Sequence, residues 1–155
     1  MRILAIITRK ILFNLPFYQP LYISQDIENM EGRGKVDEAR KLRSKWLEKL
    51  SLKYSGSLWC SEGEDLLHEQ QKYPEALSAF EKAMLSKFNP ALNPLKIYIG
   101  ASVAAVMATN LEKAEKYYLE AQDWYTKLKK GNKLDTYLAG FDDTFRWLEE
   151  NINNK

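Results

Sequence analysis

The sequence predicts an all-α protein of antiparallel helical hairpins stacked side by side and closed by a C-terminal capping helix. Three observations carry that prediction. An apolar residue three positions before an alanine recurs at Val36 and Ala39, Tyr73 and Ala76, and Leu111 and Ala114, with the alanines 37 and 38 residues apart. Periods of this length mark helical-hairpin arrays, in which each unit buries its apolar face only against its neighbours. Ahead of each alanine lies a stripe at offsets zero, four and seven: Ile23, Ile27, Met30, then Trp59, Gly63, Leu66, then Tyr98, Ser102, Ala105. Residues so spaced share one helical face, and the small Gly63 and Ser102 let a second helix come close. Finally, Leu138, Phe141, Phe145, Leu148 and Ile152 alternate steps of three and four, as an amphipathic cap does.

Taken in order, residues 1–19 form an apolar and basic segment, with Arg2, Arg9 and Lys10 among Ile and Leu and no acid before Asp26. Ile3 to Ile7 is too short a run for a secretory signal and lacks a small-residue cleavage site. Arg9, Lys10 and Pro16 interrupt the roughly 20 apolar residues that a spanning helix needs. The segment reads as a packed or capping piece, with a targeting peptide and a surface membrane helix left open. Pro20 suits the first turn of a helix running to about Glu31. Gly32 and Gly34 then turn the chain into a helix from about Val36 to Lys53, broken by Ser55-Gly56-Ser57. The second hairpin covers about Leu58 to His68 and Pro74 to Lys87, and Asn89 to Pro94 forms a linker. The third covers about Leu95 to Ala108 and Leu111 to Lys129, and after Gly131-Asn132 a last helix runs from about Leu134 to Asn151. One domain, 20–155, thus holds units at about 20–54, 57–90 and 94–129 and a cap at about 134–151.

At these positions the chain resembles the tetratricopeptide repeat (TPR), whose pattern is an aromatic, a Leu-Gly pair, a Tyr, then Ala with an aromatic four residues on, and a closing Pro. The second copy keeps Trp59, Gly63, Ala76, Phe80 and Ala83, has Glu62 and Leu66 for the Leu and Tyr, carries one additional residue in its turn, and displaces its proline to Pro90. The third keeps Tyr98, Ala114, Tyr118 and Ala121, with Ala101 and Ser102 for the Leu-Gly pair. The first departs furthest, since Arg43 and Trp46 stand where an aromatic and a small residue are expected. The resemblance implies a short right-handed α-solenoid whose hairpins line a concave face with their first helices. It also implies a protein-binding role, as adaptor, chaperone or immunity-type protein. The subtype that holds a terminal carboxylate with Lys and Asn is disfavoured by Ser24 and Glu28 at the matching positions.

A chain of 155 residues is of single-domain length and buries roughly 70% of its unfolded surface. Its 23 basic and 21 acidic residues leave a net charge of +2, nearly balanced, which offers no field for nucleic acid. Cys60 is the only cysteine, reads as a small buried filler, and fits a reducing, cytoplasmic setting. Catalysis needs converging titratable groups, and His68 is the one histidine. Glu64 and His68 share a helical face at a four-residue spacing, adequate for two metal ligands and short of a metal site. Asp142 and Asp143 are sequential and so diverge around a helix, and Lys127, Lys129, Lys130 and Lys133 suit the last turn of one. The expectation is therefore a protein without catalytic residues, metal or cofactor.

One segment is unusual for a surface hairpin: Ile97 to Ala108 holds twelve residues without a charge. A helix apolar all round is covered all round. In the geometry that the resemblance implies, Ile99, Val103, Val106 and Met107 lie on the concave face, edged by Glu64, His68 and Lys96, and Trp147 is a candidate interface anchor. The candidates to cover this face are the N-terminal segment, the final helix, a second copy and a foreign peptide, and the expectation is that Leu12, Phe13, Leu15, Phe17 and Tyr18 lie over it when no partner is bound. The expected function is an interaction module for an apolar or amphipathic protein segment, with a structural subunit of a homo-oligomer as the alternative.

Overall fold

The computed structural model describes residues 19–86, 94–130 and 138–153, and every regular element among them is helical. We number the helices α1 (Gln19–Glu31), α2 (Val36–Leu47), α3 (Gly56–Glu64), α4 (Tyr73–Met84), α5 (Pro94–Met107), α6 (Leu111–Lys130) and α7 (Asp142–Asn153). A π-helical turn, Asp65–Glu69, prolongs α3. The residues form two compact units whose boundary falls inside the second hairpin: 19–62 with 82–86, and 63–81 with 94–130 and 138–153.

In the first unit α1 and α2 are joined through residues 32–35, where Gly34 takes the left-handed φ of 74° that spares glycine any strain. The Lys35 N–H then closes on the Met30 carbonyl at 2.9 Å. Ile23 and Ile27 pack with Ala39 and Leu58, flanked by Met30, Leu42 and Trp46. The helix expected to reach Lys53 ends at Leu47. Trp46's carbonyl accepts from both Lys49 and Leu50, and the Tyr54 N–H turns back onto the Ser51 carbonyl at 3.0 Å, which folds Leu50 onto the core without a further helical turn. Ser86 closes this unit: its hydroxyl donates to the Lys53 carbonyl at 2.8 Å and accepts the Gly56 N–H at 3.2 Å. Arg43, out of place in the repeat pattern, is fully buried. Its Nε donates to Glu62 Oε2 at 2.6 Å, and its Nη1 to Glu31 Oε1 and Ser61 Oγ, both at 3.2 Å. Glu62 is itself a departure from the pattern, so the two departures are partners.

The second unit is built on the α5–α6 hairpin, with α7 against both helices. Leu95, Ile99, Ala121 and Leu138 form its buried cluster, bordered by Tyr98, Phe141 and Phe145. The small residues lie where close approach requires them. Ser102 is buried and donates to the Ala114 carbonyl at 2.8 Å, and the repeat alanines Ala76 and Ala114 have no exposed surface. Residues 131–137 lie outside those described, so the expected helix start at Leu134 does too. Leu138 and Ala139 are helical, residues 140–141 turn with the Phe141 N–H on the Leu138 carbonyl at 2.9 Å, and α7 begins at Asp142, where two carboxylates suit a helix N-terminus.

Candidate functional site

Helix α5 is apolar around its whole circumference because the chain itself covers most of it. Leu95, Ile97, Ile99, Ala101, Ser102, Ala104 and Ala105 are all buried. Ile99, expected on the binding face, is only 6% exposed and belongs to the core with Ala121 and Leu138. The final helix supplies part of the cover, since α7 lies against α5. Leu12, Phe13, Leu15, Phe17 and Tyr18 fall outside the described residues.

What remains open on α5 is the edge carrying Val103 and Met107, one helical turn apart, with Met107 41% exposed. This edge borders a groove of about 460 Å³. Its opposite wall is the π turn, which contributes Leu67 and His68, followed by Gln71 and Tyr73. The third wall is the start of α7, with Asp143, Thr144 and Trp147. A π turn closes its hydrogen bonds over five residues rather than four, as the Gln70 N–H does on the Asp65 carbonyl at 3.1 Å. It turns Leu67 inward while His68 stays exposed. The turn then ends on Gln71 at φ 54°, a left-handed conformation without glycine, held by the Lys72 N–H to the Leu66 carbonyl at 2.9 Å.

Of the residues singled out in the sequence, His68, Val103, Met107 and Trp147 thus meet at one groove. Val106 is half-buried and lies off its lining. Glu64 and Lys96 form an ion pair at 2.6 Å, also off the lining. The Glu64 and His68 spacing is therefore spent on a lysine and a groove wall, and among the described residues no group of three acids, histidines or cysteines could hold a metal. Cys60 is buried, as a filler would be. No helix of the described residues is long and apolar enough to cross a membrane.

Two further polar clusters went unread in the sequence. Glu81 Oε1 accepts from Lys113 Nζ at 2.6 Å and from the Tyr117 hydroxyl at 2.7 Å. Burial pushes the Glu81 carboxyl up, but those two hydrogen bonds and the charges of Lys113 and Lys116 outweigh it, so its pKa lies below the ordinary value. The second cluster flanks a depression of about 500 Å³ on the other side of α7. There the Tyr118 hydroxyl donates to Glu149, and the Tyr125 hydroxyl donates to Asp142 Oδ1 at 2.7 Å. Asp142 and Asp143 accordingly face different depressions, as sequential helix positions require. In both clusters the named carboxylates and hydroxyls are paired with one another. The one signal that could have pointed to them is the four-residue spacing of Lys113 with Tyr117 and of Tyr118 with Gln122 on one helix.

Comparison with protein-family models, with curated proteins and with solved structures finds no match.

Proposed function

We propose that this chain is a TPR-like interaction module, an adaptor or chaperone, that holds an apolar or amphipathic segment of a partner protein in the groove between the π turn, α5 and α7. The observation that carries the reading is the clustering of Leu67, Val103, Met107 and Trp147 along one open groove, with Met107 left 41% exposed. A groove of about 460 Å³ receives one or two large side chains, the size of anchor that an amphipathic helix presents. Methionine suits such a site because its flexible thioether adapts to differently shaped partners. The fully buried alanines Ala39, Ala76 and Ala114, one per hairpin, support the TPR-like reading of the hairpins. The role requires no catalytic group, metal or cofactor, and a reducing cytoplasm suits the single thiol, Cys60.

The test is selection of a displayed library of amphipathic helical peptides against the full chain. We expect peptides with large apolar residues three or four positions apart, and loss of their binding by at least about tenfold in Val103→Glu, which places a carboxylate against the anchor. Met107→Glu, at an exposed position, should do the same without altering helix content by circular dichroism. A library that yields no binder, or binders indifferent to both substitutions, overturns the reading.

A further inference from the structure

We infer that the partner segment carries a lysine or arginine about one helical turn from its apolar anchor, and that Asp143 and Trp147 receive this cation. The inference rests on the groove being the binding site and specifies the chemistry of its occupant. The chain has four tryptophans, and three of them carry a lysine of their own: Lys49 Nζ lies 5.7 Å from the Trp46 ring, Lys82 Nζ 4.1 Å from Trp59, and Lys127 Nζ 5.1 Å from Trp124. Among the described residues no cation lies over the fourth, Trp147, and it is the one that borders the groove.

Charge complementarity points the same way. Among the described residues Asp143 is the only carboxylate on the groove lining, and no lysine or arginine of theirs lines it. Asp143 and Trp147 are four residues apart on α7, so carboxylate and ring fall on one helical face. A cation set between them gains both the carboxylate and the indole, the aromatic ring that binds cations best. Asp143 pairs with Arg146 at 3.3 Å, with the two side chains 91% and 69% exposed. An exposed pair of that kind contributes little and exchanges readily. The apolar anchor beside the cation would lie against Val103, Met107 and Leu67, which gives the partner its spacing.

The experiment uses the peptides selected on the full chain, each compared with a copy whose lysines and arginines are replaced by norleucine and glutamine. Binding by the native peptides should exceed binding by the neutral copies about tenfold, a ring contact and a rim ion pair combined. The preference should collapse in Asp143→Asn, which binds the neutral copies as the original chain does, and in Trp147→Leu, where the affinity ratio of native to neutral copy falls toward one while both bind more weakly for want of the indole. In Asp143→Lys, selection should turn toward glutamate and aspartate. Trp147→Leu tests the ring, and the Asp143 variants keep the test decisive even if that substitution disturbs packing, because Asp143 is exposed. Selected peptides without basic residues, or equal affinity for native and neutral copies, overturn the inference and leave the interaction role standing. Failure of every peptide overturns the role itself, and a concentration-dependent mass in sedimentation that Val103→Glu abolishes assigns the groove to a second copy and overturns the inference.

Discussion

Arg43 is the residue on which the first hairpin depends most. A buried guanidinium is costly unless it is paired, and here two carboxylates and a hydroxyl take the Nε and Nη1 donors. Removing the cation leaves Glu62 and Glu31 facing a space with no positive charge. Arg43→Met should therefore lower stability by about 2–4 kcal/mol, and Arg43→Met with Glu62→Leu should recover most of that loss. Urea denaturation of the single and double variants measures it, and strictly additive losses would show that the pair is not coupled. The sequence marked both residues as departures from the repeat pattern. It could not pair them, because they are 19 positions apart and only packing brings their faces together.

At the scale of the elements, Phe80 of α4 is held between two glycines. A β-carbon added at Gly63 would come within 2.9 Å of its ring, and one added at Gly100 of α5 within 2.5 Å. The Gly63 approach was legible from the repeat spacing, whereas Gly100 sits outside every repeat position and gave no sign. In a helix, glycine to alanine ordinarily gains about 1 kcal/mol. Here the added methyl meets the ring of a fully buried side chain that has no room to move. Gly100→Ala should thus destabilise by about 1–3 kcal/mol, and combining it with Phe80→Leu should return part of the loss, both read from thermal melts followed by circular dichroism. A stabilised Gly100→Ala would remove the ring from that position. The π turn belongs to the same scale: nothing in the sequence marked it, and the structure shows a widened turn that also builds a wall of the groove.

For the whole molecule, the tyrosines set an alkaline limit. Burial first, and then the hydrogen bond to Glu81, push the Tyr117 hydroxyl pKa well above its ordinary value, and burial with the bond to Glu149 does the same for Tyr118. Tyr98 is raised by burial and by the charge of Glu120. A group whose folded pKa is raised contributes stability in full below its unfolded pKa, about 10 for tyrosine, and loses it as pH rises beyond. Unfolding free energy from urea titrations should therefore fall steeply above about pH 10, and less steeply in Tyr117→Phe and Tyr118→Phe. Identical slopes would mean that neither hydroxyl is held. Glu81 acts in the opposite sense: its depressed pKa contributes stability above the unfolded carboxyl value, lost as pH falls through the folded one.

Sequence alone determined the helical class, the positions of the hairpin turns and the small residues at the crossings. Those follow from local rules, the helical period and the chemistry of glycine and proline, which act over a few residues. It also singled out Val103 and Met107 in an uncharged helix and Trp147 beside an inward stripe, without bringing the tryptophan together with the other two. Tertiary structure decided which side of α5 is open. An evenly apolar helix carries no periodic signal of its own orientation, so the burial of Ile99 and the exposure of Met107 became fixed only when α6 and α7 packed against it. The meeting of His68 with Met107 and Trp147 likewise depends on the π turn and on the start of α7, contacts between segments far apart in the chain that no short-range pattern encodes.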